Sequence, residues 1–151
     1  KAELARAHGC DHPSVYTREN VVERVKAITD GGGVPVVFDS VGRDTFTTSL
    51  DCLQPRGLMV SYGNASGAVE PFSPGVLAAK GSLFLTRPTL ASYIATRAEL
   101  DTTTTELFDV VRSGAVKVEV SQMYPLKDAA QAHRALEARK TTGSTVLTVE
   151  E

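Results

Sequence analysis

The chain has 151 residues, of which 42% are hydrophobic and 23% charged, as is ordinary for a globular protein. Its formal net charge of −2 provides no basic surface for nucleic acid or an anionic membrane. No apolar run is long enough to span a bilayer, and the chain opens without a signal-peptide pattern. We therefore expect a domain-sized globular chain that binds neither nucleic acid nor membrane.

Cysteine and histidine usage predicts neither a disulfide nor a metal site. Cys10 and Cys52 lie far apart without a paired motif, so we expect two buried thiols in the reducing cytoplasm. The histidines at positions 8, 12 and 133 form no cluster with metal-ligand spacing and receive no catalytic role. Because the chain opens on Lys1 and enters a helix at once, we also expect a fragment of a longer polypeptide.

Hydrophobic periodicity predicts alternating helices and strands, without internal repeats or linkers. We expect strands at 10–12, 34–38, 58–62, 82–86, 116–120 and 145–149. Helices are expected to end at residue 8, to cover 21–28 with Thr17 as cap, and to cover 73–80. Further helices should carry Phe46, Leu50 and Leu53, run from a capping box at 96–99 to residue 113, and follow Pro125. Apolar strands alternating with helices indicate an α/β fold with a parallel sheet between helical layers.

Two of the predicted strands end in small polar or glycine turns. The strand at 34–38 runs into Asp39-Ser40-Val41-Gly42, and the strand at 58–62 runs into Gly63-Asn64. Ligands of open parallel sheets bind just beyond the carboxyl ends of the strands, which predicts a ligand site at these turns. For Asp39 a turn-capping role is favoured over a catalytic one. The glycine-rich phosphate loop that normally opens a dinucleotide-binding fold is absent from the sequence.

Four segments together resemble the zinc-independent NADPH:quinone oxidoreductase branch of the medium-chain dehydrogenase/reductase superfamily. They are residues 37–42, 56–64, 80–88 and 124–129, and their order and spacing match that family from end to end. The resemblance implies a partial Rossmann fold, a doubly wound parallel sheet lacking its first two strands, plus a C-terminal helix and strand. Residues 1–122 would form part of the NADPH-binding domain, and residues 123–151 would pack toward an absent catalytic domain. The strand at 10–12 would then have to fill the gap in the sheet.

The resemblance also implies which residues bind the cofactor. Lys1 and Tyr16 match the pair that cradles the 2′-phosphate of NADPH, and an ammonium and a phenol suit a phosphate dianion. Arg139 matches a further basic residue of the same pocket. From the residues alone, a solvated first residue and a loop tyrosine are the favoured interpretations of Lys1 and Tyr16. For Arg139, an ordinary cation near a helix C-terminus is an equal alternative.

The remaining implied cofactor residues follow the strand ends. Ser40 lies on the first turn, the segment Tyr62-Gly63-Asn64 would lie beside the nicotinamide ribose, and Thr86-Arg87 would lie near the nicotinamide. A plain strand-to-helix turn and a half-buried strand tyrosine remain the alternatives. The strand at Ser82–Thr86 would form a subunit edge that pairs with its twin, which predicts a homodimer.

The implied function is the transfer of reducing equivalents from NADPH to a quinone or another small carbonyl acceptor. The full-length protein would be an enzyme in which the nicotinamide carries the chemistry, this chain would contribute no catalytic residue, and the isolated fragment would be inactive. An enoyl reductase or alcohol dehydrogenase of the same superfamily is the nearest alternative. A dimerisation or sensor module without catalysis is an alternative of another class, and a methyltransferase with a similar sheet is a more distant one.

Overall fold

The structure, a computed structural model, describes residues 1–149. Every strand pairing among these residues is parallel, and at least one helix lies between each strand and the next along the chain. The predicted α/β class with parallel pairing is therefore confirmed. The chain forms two compact units, one of residues Ala2–Tyr93 and one that begins at Ile94 and with which Lys1 is grouped. The boundary predicted at residue 122 is of another kind, since it separates a part of the NADPH-binding domain from a part that packs toward a catalytic domain. That boundary stays a prediction.

The first unit contains five helices and three strands among the described residues. They are α1 (Ala2–Ala7), α2 (Val21–Ile28), β1 (Val34–Asp39), α3 (Phe46–Asp51), β2 (Leu53–Ser61), α4 (Gly75–Ala79), β3 (Phe84–Thr86) and α5 (Leu90–Tyr93). The strands form one sheet in the order β1-β2-β3. Asp39 at the end of β1 is level with Ser61 at the end of β2, and Thr86 at the end of β3 is level with Val60. This register brings all three carboxyl ends to one edge of the sheet.

The core of this unit lies between the sheet and α3. Met59 is 0% exposed and Leu50 is 2% exposed, and Phe46, Leu53 and Leu83 complete the buried cluster. Burying one such side chain contributes roughly 1.5–3 kcal/mol relative to leaving it exposed. The apolar stripe of α3 therefore fixes that helix, and the turn preceding it, against the sheet.

The second unit carries the remaining elements. They are α6 (Arg97–Arg112), β4 (Val120–Pro125), a 3-10 turn (Leu126–Asp128), α7 (Ala129–Glu137) and β5 (Ser144–Thr148). The predicted capping box is confirmed, because Thr96 Oγ1 accepts a hydrogen bond from Glu99 N while Glu99 Oε2 accepts one from Thr96 N. β4 and β5 pair in a two-stranded parallel sheet. No helix in the described part of the chain has the length and apolarity needed to cross a membrane.

The predicted strand at residues 10–12 is wrong. These residues form exposed bends, and the amide of Cys10 donates a hydrogen bond to Ala5 O. Gly9 adopts φ +92°, which closes the end of α1 as a C-cap. The backbone of this segment therefore forms hydrogen bonds with the end of α1 instead of with a strand. Among residues 1–149, no strand pairs with the outer edge of β1.

Two other predictions were displaced along the chain. The strand expected at 116–120 lies at Val120–Pro125, because the amide of Val116 donates to Val110 O and continues the end of α6. The cap of α2 is Asn20 rather than Thr17, since its Oδ1 accepts from the amides of Val22 and Glu23. The alternation of apolar and polar residues at 116–120 did not locate the start of β4, and a single threonine did not locate the start of α2.

Candidate functional site

The candidate site lies at the edge where the three strands of the first unit end. Ser40 follows β1, the segment Tyr62–Asn64 follows β2, and Thr86 and Arg87 end and follow β3. Sequence reasoning placed these residues on separate turns, and the parallel register brings the turns side by side. The side chains of Ser40, Tyr62, Asn64, Thr86 and Arg87 are exposed along this edge.

Main-chain hydrogen bonds join the turn after β1 to the loop after β2. The amide of Tyr62 donates to Asp39 O over 2.9 Å, and the amide of Ala65 donates to Ser40 O over 3.2 Å. In addition, Ser66 N donates to Val41 O at 2.8 Å and Arg43 N donates to Gly67 O at 3.1 Å. We call residues 39–43 and 62–67 the paired turns. They behave as one hydrogen-bonded body rather than two independent loops.

Two glycines make this close pairing possible. A Cβ on Gly63 would lie 2.3 Å from Ser40 O, and a Cβ on Gly42 would lie 2.6 Å from Gly67 O. Gly42 also has φ +89°, in the left-handed region that favours glycine. Both glycines are therefore required by contacts between the turns themselves, before any ligand is considered.

Asp39 lies beneath the paired turns and is 4% exposed. Its carboxylate accepts hydrogen bonds from the amides of Val41 and Gly42 at 2.8 and 3.0 Å, and from the hydroxyls of Thr45 and Ser49 at 2.8 and 2.7 Å. Burial raises the pKa of Asp39, but these hydrogen bonds outweigh burial and leave the pKa below its ordinary value. The predicted turn-capping role is confirmed, and the side chain is an ionised, fully satisfied acceptor at neutral pH.

A cavity of about 300 Å³ opens beside the paired turns. It is lined by Phe46, Ser61, Asn64, Ala68, Val69, Phe72, Leu85 and Arg87. The rings of Phe46 and Phe72 lie 5.0 Å apart and form an apolar wall, while Asn64 and Arg87 supply polar groups. Small-molecule sites typically measure roughly 300–1,000 Å³ with few polar groups in an apolar lining. The cavity therefore lies at the lower end of the size range of small-molecule sites.

Three predicted cofactor residues lie outside this cluster. Lys1 precedes α1, Tyr16 lies on the loop before α2, and both are exposed. Arg139 lies in the second unit, just after α7, where it is exposed and adopts φ +56°. Their roles in phosphate binding stay predictions.

The cysteines differ from each other. Cys52 is buried as expected, and burial together with the charge of Asp51 raises the pKa of its thiol. Cys10 is exposed, so the prediction of two buried thiols is wrong for that residue. Between residues 1 and 149, no group of three or more histidine, cysteine, aspartate or glutamate side chains is arranged to hold a metal ion.

Comparison with known proteins decides the family. The profile of the family described as zinc-binding dehydrogenase matches residues 8–147, nearly the whole chain. The chain belongs to the zinc-binding dehydrogenase family. This confirms the resemblance to the medium-chain dehydrogenase/reductase superfamily, of which the chain represents the C-terminal, cofactor-domain part.

Individual relatives show which proteins this member of the zinc-binding dehydrogenase family is similar to. The chain is 53% identical to quinone oxidoreductase of Pseudomonas aeruginosa over 147 residues, covering 97% of this chain and 45% of that protein. It is 46% identical to 2-haloacrylate reductase of a Burkholderia species, covering 97% of this chain and 44% of that protein. The structure of Escherichia coli quinone oxidoreductase complexed with NADPH superimposes with a TM-score of 0.91 at 53% identity, covering 97% of this chain and 46% of that one. The chain thus spans about half the length of these relatives.

Sequence reasoning missed the partners of Asp39 and the aromatic wall. Thr45 and Ser49 lie in the turn before α3 and in α3 itself, six and ten residues after Asp39. A helix is predicted to follow β1 and to pack on the sheet. The hydroxyl groups of Thr45 at its start and of Ser49 one turn later can then both face the carboxyl end of β1. That signal was present in the sequence. Phe72 lies in a long loop, and nothing in its neighbourhood predicts that it packs on Phe46.

Proposed function

We propose that this chain is the C-terminal part of the cofactor domain of an NADPH-dependent quinone oxidoreductase. The observation that carries the proposal is the alignment of three strand ends beside a cavity of about 300 Å³ with an apolar wall and two polar side chains. Identity of 53% to the quinone oxidoreductase of P. aeruginosa supports the choice of acceptor class. When bound, NADPH supplies a hydride to the acceptor.

The chain's own residues would bind and orient the cofactor. Lys1 and Tyr16 would bind the 2′-phosphate, and Arg139 would contribute a further cation to cofactor binding. Residues Ser40 and Tyr62–Asn64 would form the wall beside the nicotinamide ribose, and Thr86-Arg87 would approach the nicotinamide. Residues 1–122 would serve the cofactor domain, and residues 123–151 would pack toward a catalytic domain.

No side chain of the candidate site is proposed as a proton donor. Asp39 is the buried carboxyl group nearest the strand ends, but its lowered pKa keeps it ionised at neutral pH, and its two oxygens already accept hydrogen bonds. A quinone needs little acid assistance for reduction. Orientation of the cofactor and exclusion of water are therefore the contributions proposed for this chain.

The cofactor proposal is tested by titrating the full-length protein that carries this chain with NADPH and NADH. Lys1→Ala should raise the Kd for NADPH roughly tenfold or more, because a hydrogen bond between charged groups contributes about 1.5–3 kcal/mol. The Kd for NADH, which lacks the 2′-phosphate, should stay unchanged. The exposed Lys117 supplies the matched control, and Lys117→Ala should leave both constants unchanged. Equal affinity of the unsubstituted protein for NADPH and NADH would contradict the proposal.

The enzymatic part of the proposal has its own test. The full-length protein should oxidise NADPH in the presence of a simple benzoquinone, and the isolated 151-residue chain should not, since the glycine-rich phosphate loop is absent from its sequence. Measurable turnover by the isolated chain would overturn the fragment prediction. Absence of turnover by the full-length protein with any quinone would overturn the acceptor class.

We further propose a homodimer that forms through the outer edge of β3. In the described sheet β3 pairs only with β2, and Phe84 on β3 is 62% exposed. An exposed apolar edge strand is a site for pairing with another chain. Sedimentation of the full-length protein should give a dimer, and Phe84→Lys should give a monomer of unchanged helical content. A monomeric unsubstituted protein would contradict the proposal.

The proposal also includes a cytoplasmic location and catalysis without zinc. Two free cysteines support a reducing compartment. Measurement of the metal content of the purified full-length protein tests whether catalysis is independent of zinc. The presence of one zinc ion per chain, together with loss of activity when that zinc is removed, would contradict the proposal.

Reduction of a conjugated carbon–carbon double bond is a second candidate. Identity of 46% to 2-haloacrylate reductase favours it, and the Arg87 guanidinium at the cavity is a cation that suits a carboxylate-bearing acceptor. Turnover of the full-length protein with 2-chloroacrylate and with benzoquinone, at equal concentrations, separates the two candidates.

A further inference from the structure

One serine adds side-chain hydrogen bonds to the main-chain bonds of the paired turns. Ser66 Oγ donates to Val41 O at 2.8 Å and accepts from the amide of Asp44 at 3.0 Å. The loop after β2 is therefore held to the turn after β1 by both the main chain and a side chain of Ser66. A displacement of either turn has to break several hydrogen bonds at once.

Asp39 connects this assembly to the rigid part of the fold. Its main-chain carbonyl accepts from the amide of Tyr62, and its carboxylate accepts from the amides of Val41 and Gly42. The same carboxylate accepts from the hydroxyls of Thr45 and Ser49 at the start of and within α3. One buried residue thus touches the end of β1, the start of the loop after β2, and the helix that packs on the core.

We infer that Asp39 and Ser66 are positioning residues that fix the Tyr62–Asn64 segment for the nicotinamide half of the cofactor. The inference rests on the proposed function, and it assigns no contact between either residue and the cofactor. Asp39 acts through the amides of Val41 and Gly42, and Ser66 acts through the carbonyl of Val41. A site whose wall is held by its own hydrogen bonds loses little conformational freedom when the ligand binds.

The inference separates the two halves of the cofactor. The paired turns belong to the carboxyl ends of β1 and β2, whereas the residues predicted to hold the 2′-phosphate lie before α1 and on the loop before α2. Loosening the paired turns should therefore weaken binding of the nicotinamide half alone. A general loss of folding would weaken binding of both halves.

The experiment compares two probes on the full-length protein. NADPH reports on both halves, and adenosine 2′,5′-bisphosphate reports on the phosphate half alone. Asp39→Asn keeps the shape of the side chain but replaces one acceptor oxygen with an NH2 group. The amides of Val41 and Gly42 keep an acceptor, whereas the hydroxyls of Thr45 and Ser49 lose the carboxylate oxygen to which both donate. Ser66→Ala removes both side-chain hydrogen bonds from a half-buried loop position and is the milder change.

We expect Asp39→Asn to raise the Kd for NADPH about tenfold, since small misplacements of a site are costly, and Ser66→Ala to raise it about threefold. The Kd for the bisphosphate should change less than about twofold for both variants, because the residues predicted to hold the phosphate lie on other segments and share no partner with the paired turns. The control is Asp30→Asn, the same substitution at an exposed residue before the opposite end of β1. It should leave both constants unchanged.

Two outcomes overturn the inference. An equal rise in both constants would assign Asp39 and Ser66 a purely structural role, and unchanged NADPH binding by both variants would show that the paired turns do not fix the site. If the unsubstituted protein binds the bisphosphate but not NADPH, or binds neither, the proposed function itself fails. That result is read from the unsubstituted protein and is therefore distinguishable from failure of the inference.

Discussion

The close contact between the paired turns makes Gly63→Ala the sharpest test of the structure. An added Cβ would lie 2.3 Å from Ser40 O, 2.8 Å from Ser40 Cα and 2.9 Å from Ser40 C. All three atoms are main-chain atoms, so no flexible side chain can move aside to make room. The turns would have to separate by about 1 Å to restore ordinary contact distances of roughly 3.5–4.0 Å. Such a separation would disrupt the hydrogen bonds that Asp39, Ser40 and Val41 accept from residues 62–66.

Overpacking of this kind typically costs about 1–3 kcal/mol, and the loss of these hydrogen bonds places Gly63→Ala at the upper end, about 3 kcal/mol. The matched control is Gly75→Ala at the start of α4, where the nearest atom to the new Cβ is Ser73 Oγ at 3.5 Å. There alanine should stabilise the helix by about 0.5–1 kcal/mol. Urea unfolding of the full-length protein measures both. Equal unfolding midpoints for the two variants would refute the pairing of the turns described here.

Three further predictions concern the core, the second unit and pH. Met59→Ala, at a residue that is 0% exposed, should lower the free energy of unfolding by about 2–5 kcal/mol in urea denaturation. Thr96→Ala should lower the stability of α6 by about 1 kcal/mol, seen as faster amide exchange in its first turn. Because the pKa of Asp39 is lower in the folded state than in the unfolded chain, its contribution to stability is present above the unfolded-state pKa and is lost as pH falls through the folded-state pKa. The difference in unfolding free energy between the unsubstituted protein and Asp39→Asn should therefore shrink on acidification, and a difference that is constant down to pH 2 would contradict the assignment.

The fold class could be predicted because the signals for it are local. The apolar runs that became β1 and β2 end at polar or glycine turns, and the helix between them carries Phe46 and Leu50 at helical spacing. The order of strands and their parallel direction agree with the general preference of such sheets for short, right-handed crossover connections. The sequence also contained the capping box of Thr96 and Glu99, which depends only on residues three apart.

The parts that sequence reasoning missed depend on residues distant in the chain. The predicted strand at 10–12 was wrong because the amide of Cys10 bonds to Ala5 O, a helix-end contact that competes with strand formation. The pairing of Gly63 with Ser40 and of Phe46 with Phe72 joins segments more than twenty residues apart. No periodicity encodes such contacts. They appear only once the register of β1 and β2 is known.

The most direct measurement of the central claim is a structure of the full-length protein with NADPH bound. We predict that the nicotinamide ribose lies beside Tyr62–Asn64, that the nicotinamide lies near Arg87, and that the 2′-phosphate contacts Lys1 and Tyr16. The paired turns should keep their hydrogen bonds unchanged. A cofactor bound away from the carboxyl ends of β1, β2 and β3 would contradict the account.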